Sequence, residues 1–302
     1  MSKKENAMAR ARLLARNEQI FRCPVCSLPM RMGAQWSLAC AAGHNFDLSK
    51  DGYVHLLPNA KASKYDKELF RSRRLINGSG YFAPLLDKLA DGMKESIVEP
   101  ASAQPLSILD AGCGEGSHLL YLLRKLQPPS QRDILAAGMD ASKPGILLAA
   151  KGNAPVIWCV ADLVRSPFRD RTFHMVCNIL SPSNYDEFRR LLAPGGRLVK
   201  VIPGPDYLKE FRLALYGRPW PEREKTSGET SALFARHFPG MTQQRVRYEV
   251  RLDGQHLEAM LRMTPLSWHA PEENMRRLLT QSAFAVTFDF IILWSEPLRG
   301  SS

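Results

Sequence analysis

No run of apolar residues approaches the roughly 20 that a membrane-spanning helix requires, so a membrane protein is not expected. Residues 1–21 carry Lys3, Lys4, Arg10, Arg12 and Arg16 but lack the apolar centre of a secretory signal. Internal repeats and low-complexity tracts are missing too. Cysteine is scarce, with 6 in 302 residues: Cys23, Cys26 and Cys40 cluster, while Cys113, Cys159 and Cys177 stand singly in expected strands or turns. That is no disulfide framework, and a reducing cytoplasm is the expected setting. Acids are outnumbered as well. Lys plus Arg total 41 against 30 Asp plus Glu, a net charge of +11. This excess points to a polyanionic partner, nucleic acid before membrane, unless the charge serves only solubility.

What is present begins with length. A chain of 302 residues holds one large domain plus a small module, or two medium domains. The organising stretch is Ile108-Leu109-Asp110-Ala111-Gly112-Cys113-Gly114-Glu115-Gly116-Ser117-His118. It reads as a short strand, a glycine-rich turn and the start of a helix. Three glycines in five positions let the backbone turn tightly and approach a ligand with no Cβ between. The spacing is G-x-G-x-G rather than the dinucleotide G-x-G-x-x-G, and Asp110 ends the strand. A pyrophosphate has no use for a nearby carboxylate. S-adenosylmethionine, which carries an ammonium and a ribose, can use one.

From residue 105 the alternation of strand and helix is regular. Residues 133–140 and 156–162 read as strands ending in Asp140 and Asp162, and 172–180 and 197–202 as two more. This pattern predicts a doubly wound parallel α/β sheet. Asp110, Asp140 and Asp162 then stand at the carboxyl ends of consecutive strands and line one crevice. Asp140 is placed for the ribose hydroxyls and Asp162 for the adenine amine; the alternative is that each acid caps the helix after it. Beyond residue 205, a helix is expected near 206–216, a mobile loop over 217–240 and a strand over 243–252 with Arg245, Arg247 and Arg251 on one face. A helix near 255–263 follows, and a closing strand pair or long edge strand covers 283–294.

Upstream lies a block of different texture. Cys23-Pro24-Val25-Cys26 and Cys40-Ala41-Ala42-Gly43-His44 form C-x-x-C and C-x-x-x-H knuckles that can place three thiolates and an imidazole around Zn²⁺. The block is too short to bury a core, so a metal would supply stability. Redox C-x-x-C chemistry is the rival reading. Between 61 and 74, Lys61, Lys64, Lys67, Arg71, Arg73 and Arg74 face only Asp66 and Glu68, either to line phosphates or as a solvated face.

Pro194-Gly195-Gly196 before the fifth strand resembles the turn of class I methyltransferases. The knuckles, Asn45–Pro58, Leu109–Gly116, Ile202-Pro203-Gly204-Pro205 and Met263–Trp268 together resemble the bacterial 23S rRNA (guanine-N1)-methyltransferases over nearly everything after residue 20. The resemblance implies a class I methyltransferase fold with a small N-terminal zinc module. Its domains would be a basic extension (1–20), a zinc-binding module for RNA recognition (21–60), a basic linker with helices (61–104) and an S-adenosylmethionine-dependent methyltransferase domain (105–302). Structural zinc would be held by Cys23, Cys26, Cys40 and His44. To Asp110, Gly112, Gly114, Asp140 and Asp162, read from the strand ends and the glycine turn, the resemblance adds cofactor contacts from Tyr81, Glu115 and Gly116, and from Tyr207, where relatives can have histidine.

Asn178-Ile179-Leu180-Ser181-Pro182 occupies the place where such enzymes present the target base, with Asn178, Pro182 and Tyr185 as pocket candidates. The stretch is closer to Gram-positive-type members. Family members modify neighbouring guanosines in hairpin 35 of domain II of 23S rRNA, near the macrolide tunnel, and some confer resistance. The resemblance also implies a homodimer that forms the RNA cleft. Guanine N1 would attack the sulfonium methyl from a flipped base. Asp162 and Asp206 are the candidates for taking its proton. Two other readings stay open: a methyltransferase of small molecules, and a non-catalytic RNA-binding protein.

Overall fold

The computed structural model describes residues 3–33, 35–58, 66–96, 105–126, 133–152, 154–217 and 222–298. Lys61 and Lys64 of the basic run lie outside them. The chain opens with helix α1 (Lys3–Arg16), followed by the short strands β1 (Met30–Met32), β2 (Ser37–Cys40) and β3 (Asn45–Asp47), then β4 (Tyr53–His55). Helices α2 (Lys67–Gly78) and α3 (Ala83–Ser96) lead to the alternating core. This runs β5 (Leu106–Ala111), α4 (Ser117–Lys125), β6 (Ile134–Asp140), α5 (Lys143–Ala149), β7 (Val156–Val160), β8 (Phe173–Ile179), α6 (Tyr185–Leu191) and β9 (Leu192–Pro203). Helices α7 (Lys209–Tyr216) and α8 (Glu222–His237), strand β10 (Thr242–Asp253), helices α9 (Gly254–Met263) and α10 (Glu272–Leu279) and strand β11 (Ala283–Trp294) complete it.

Strands β1, β2 and β3 form a small antiparallel sheet. The other eight form one sheet ordered β10-β11-β9-β8-β5-β6-β7-β4, parallel from β9 to β4 and antiparallel at β10-β11-β9. β5 through β9 are apolar on both faces because helices cover both sides of a parallel sheet. The order reverses between β5 and β8. At such a switch point the two following connections leave in opposite directions and open a crevice at the carboxyl edge.

Three segments differ from expectation. The first is 283–294, which is neither an edge strand nor a pair: β11 is one strand between β9 and β10, buried along most of its length. Residues 217–240, read as a mobile loop for their Gly, Pro and charge, contain the helix α8. Its Phe234, and Phe238 just past its end, bury their rings against Tyr185 of α6. Thirdly, Tyr53–His55, grouped in sequence with the zinc module, extends the large sheet beside β7.

Helix α1 is docked rather than free. Ala11 and Leu14 are buried, and the Arg10 guanidinium reaches the carbonyls of Asp51, Ala150 and Gly152. Arg10→Ala leaves these carbonyls without their donor and is expected to cost about 2 kcal/mol. The check is a lower urea midpoint at unchanged slope.

Candidate active site and metal centre

The two knuckles close on each other through backbone geometry. Ser27 N donates to the Cys23 carbonyl at 2.8 Å and Gly43 N to the Cys40 carbonyl at 3.0 Å, so each knuckle is a tight turn. The β1–β2 pairing sets Met30 opposite Cys40 and brings the turns together. One ligand atom from each of Cys23, Cys26, Cys40 and His44 lies within 4.8 Å of all the others. Cys26 Sγ and Cys40 Sγ are 3.6 Å apart, and Cys40 Sγ is 3.4 Å from His44 Nδ1. A tetrahedron with Zn–S of about 2.3 Å has S–S edges of about 3.8 Å, so the donor set fits zinc; a disulfide needs about 2.05 Å. Burial opposes ionisation of Cys40, but bonds from the His44 ring and the local backbone outweigh it and hold the thiol at about 6. The module is seated on the large domain: Arg22 N donates to the Pro167 carbonyl at 2.8 Å and Phe21 packs on Phe168.

At the carboxyl edge of β5, Gly112 takes φ +88°, and a Cβ there would collide with the Ser181 hydroxyl across the switch point. Gly116, at φ +83°, packs on the Trp158 ring and caps α4. Only glycine meets both demands. Asp140 accepts from Gly114 N at 2.9 Å and from Ser142 N at 2.7 Å, so it fastens the loop to the end of β6. Glu115, 3% exposed, accepts from Asn77 Nδ2 at 2.8 Å and Ser117 Oγ at 2.7 Å, joining α2 to the loop.

Asp110 is 2% exposed, and among the described residues its Oδ1 is buried with no hydrogen-bond partner. Burial, reinforced by the neighbouring Asp140 and Glu115, pushes its carboxyl up to about 8. Asp162 turns back to accept from Val164 N at 3.0 Å, two residues past the end of β7. The structure thus brings Asp110, Asp140 and the glycine loop together, with Asp162 at the next strand end. A crowded acidic edge with an orphaned buried oxygen suits a cationic ligand bearing hydroxyls, as S-adenosylmethionine is.

Across the switch point, Asn178 is wholly buried. Its Nδ2 donates to the carbonyls of Ala111 (2.7 Å) and Pro182 (2.9 Å). Its Oδ1 accepts from Lys200 Nζ at 2.6 Å, and Lys200 also donates to the Ser181 carbonyl at 3.0 Å. A cavity of about 820 Å³ opens here, lined by Pro182, Tyr185, Lys200, Ile202, Leu233 and His269 among others. Tyr185 contributes a wall rather than a free stacking face. It is 5% exposed and ringed by Phe188, Phe234, His237 and Phe238.

Asp206 stands apart from this cavity and accepts from Arg245 (3.3 Å) and Arg247 (3.0 Å), with Asp289 accepting from Arg245 at 2.8 Å. Two of the arginines expected on an RNA-binding face are therefore already paired. Tyr207 is buried against Phe290, and Tyr81 sits edge-on to His256 at 5.3 Å. Sequence reasoning missed Lys200, Asn77, His269 and the α8 wall. The one available signal was Lys200 itself, a lone charge in the apolar run Leu198–Ile202.

Two family models match the chain. One, described as "RlmA, N-terminal" with a zinc ribbon, covers residues 21–64, and a "Methyltransferase domain" covers 108–196. The chain is 34% identical to the 23S rRNA (guanine(748)-N(1))-methyltransferase of Streptomyces fradiae, over 85% of this chain and 89% of that one. It belongs to the 23S rRNA (guanine-N1)-methyltransferase family. A provisionally assigned 23S rRNA (guanine-N(1)-)-methyltransferase of Bacillus subtilis, YxjB, is 41% identical over 91% of this chain and 96% of its own. A further provisional assignment in Micromonospora griseorubida is 30% identical over 82% and 87%. Membership makes the chain a class I methyltransferase that uses S-adenosylmethionine and carries a zinc ribbon, within which Cys23, Cys26, Cys40 and His44 are gathered closely enough to hold one metal ion. No helix among the described residues is long and apolar enough to cross a membrane.

Natively purified protein is expected to carry about one Zn²⁺ per chain by elemental analysis. Cys40→Ser should lose the metal and lower the melting temperature. A metal-free protein that melts at the same temperature would contradict the structural role. A second expectation concerns Asp110. Its folded carboxyl titrates at about 8, and its unfolded value is about 3.9. The folded state therefore holds a proton that the unfolded chain releases, and the stabilisation present at low pH is lost as pH rises through about 8. Asp110→Asn should flatten that decline in ligand-free protein, read as melting temperature against pH.

Proposed function

We propose that this protein methylates N1 of a guanosine in 23S rRNA, in hairpin 35 of domain II, with S-adenosylmethionine as methyl donor. The observation that carries the reading is that the chain is 34% identical to the Streptomyces fradiae enzyme over 89% of that enzyme and itself holds a Cys3His cluster and an acidic carboxyl edge. The Streptomyces fradiae relative is named for N1 of guanine 748 of 23S rRNA, which supports a guanine-N1 target in that RNA. A link to macrolide resistance follows if the modified base lies by the macrolide tunnel, and a homodimer would enclose the RNA in a cleft between two copies.

Bound S-adenosylmethionine supplies an electrophilic methyl. The chain's own residues do the rest. Asp140 would hold the ribose hydroxyls, Asp162 the adenine amine, and Asp110 and the Gly112–Gly116 loop the amino-acid end, with Tyr81, Glu115 and Tyr207 as further contacts. N1 lies on the pairing edge of guanine, so the base must leave its helix. The cavity beyond Asn178 is of a size to take a flipped nucleotide and exclude water around it. Positioning of this kind is the main contribution to a direct displacement.

RNA affinity is supplied by the zinc ribbon, by Lys67 and its neighbours on α2 and by Arg251, and falls with salt. The cytoplasm is the compartment of such a substrate.

Incubation with tritiated S-adenosylmethionine and 23S rRNA is expected to label the RNA, with a reverse-transcription stop in hairpin 35. Label entering only small metabolites would instead indicate a small-molecule methyltransferase. Bound RNA without any transfer would indicate a binding protein. Asp140→Ala is expected to weaken cofactor binding at least tenfold, and unchanged binding would remove the ribose assignment.

A further inference from the structure

Lys200 is a buried amine that, among the described residues, has no carboxylate within ion-pair distance. It is 3% exposed in β9, yet it lines the large cavity. Two of the three directions around Nζ are taken by neutral acceptors, Asn178 Oδ1 and the Ser181 carbonyl. The third is left for a proton or a lone pair on the cavity side. Asn178 comes from β8, Leu293 of β11 lies opposite in register, and α8 presents Thr226, Ser227, Thr230 and Leu233 to the cavity. The titratable groups of the lining are Tyr185, Tyr216 and His269, and no carboxylate is among them. The acid reached through the Asn178 bridge, Asp110, immediately precedes Ala111 on β5. Burial brings the Lys200 amine down to about 8.

The bridge also sets the distance to the donor. One end of the Asn178 amide holds the strand that carries the glycine loop, and the other holds Nζ. Gly112 lies against Ser181, whose carbonyl also anchors Lys200. The amine is therefore fixed between the cofactor loop and the base cavity by two short, neutral bonds.

We propose that Lys200, as the free amine, takes the N1 proton of the target guanine while N1 attacks the donor methyl; this role rests on the guanine-N1 reading above. The N1–H bond breaks and its proton goes to Nζ. The N1–CH₃ bond forms, and the S–CH₃ bond breaks with its electrons on sulfur. The products are N1-methylguanine, neutral S-adenosylhomocysteine and the Lys200 ammonium, which passes its proton to water. One positive charge enters as a sulfonium and remains as an ammonium, so the buried site never gains net charge. The two neutral acceptors favour the ammonium through hydrogen bonds, whereas burial favours the amine. Together they poise the group near neutrality, where a general base works best.

The test is single-turnover methyl transfer to 23S rRNA between pH 6 and 9.5, with the modified nucleoside identified by mass spectrometry. Wild-type transfer is expected to rise with pH and level off above about 8. Lys200→Met should slow transfer by about 100-fold or more and lose that inflection. Its affinities for S-adenosylmethionine and RNA should be unchanged, and added methylamine should restore part of the rate. Lys200→Arg keeps the cation but cannot give up its proton, so it should be equally slow. It also serves as the second variant should Lys200→Met fold poorly. A wild-type rate in either variant would overturn the role, as would losses of rate that merely follow losses of binding. A wild-type enzyme that marks an atom other than guanine N1 overturns the underlying reading instead, and the nucleoside analysis distinguishes that failure from a variant that keeps its rate.

Discussion

The carboxamide of Asn178 ties the two halves of the site together. At the switch point, β5 and β8 are neighbours whose following connections diverge, and without a cross-link their ends would be two loops free to move apart. Nδ2 fixes the end of β5 through Ala111 and its own loop through Pro182, while Oδ1 fixes Lys200 on β9. A buried amide with these three bonds, and a fourth from Ser183 Oγ to Oδ1 at 3.4 Å, is rigid, because any displacement strands a polar atom in apolar surroundings. Gly112 follows from it: with β5 and β8 held this close, the Ser181 hydroxyl occupies the volume where a Cβ at 112 would lie. The glycine is thus required by the closeness of the strands as well as by its φ.

Around that link the molecule concentrates unlike charges in separate places. Asp110, Asp140 and Glu115 crowd the β5–β6 edge, and Lys200 lies alone beyond Asn178. Within the acidic group the partners differ. Asp140 and Glu115 have backbone or side-chain donors, so they stay in place as structure. Among the described residues Asp110 lacks one for Oδ1, and burial, reinforced by its acidic neighbours, resists its ionisation. An edge of this kind is least favourable when empty and gains most from a cation, which is how a site can be selective for a positively charged ligand before any contact to its adenine is considered.

Much of this was legible in the sequence because it depends on local spacing. Three glycines in five positions, acids at strand ends and two cysteine knuckles each need only a few residues, and each formed where spacing put it. Non-local placement was not legible. Residues 217–240 read as a loop because Gly, Pro and charge dominate, and only the tertiary partner Tyr185 explains why Phe234 on α8 and Phe238 just after it are buried. The edge assignment of 283–294 failed for a related reason: a strand's pattern shows that both faces are apolar but not which strands flank it. Arg245 and Arg247 alternate as an exposed basic face should, yet the acids that pair with them, Asp206 and Asp289, lie some forty residues away in either direction. Lys200 was read past as part of an apolar strand, since its use depends on Asn178 in the next strand.

The placement of the zinc ribbon bears on how RNA would be presented. The ribbon is not a bead on a string: Cys23, Met30, Leu38 and Cys40 are buried in the same apolar cluster as Leu135 and Phe168. β4 lies in the large sheet beside β7, Arg22 is bonded to Pro167, and α1 passes behind with Arg10 anchored on Ala150 and Gly152. These attachments come from three separate points on the chain, so rotation of the ribbon about any one of them breaks the other two. A ribbon seated in this way would hold any RNA bound to it at a fixed distance from the cavity behind Asn178. A flipped base held at a constant reach from a gripped helix is selected by its position in the fold of the RNA, and specificity of that kind needs few contacts to the base itself.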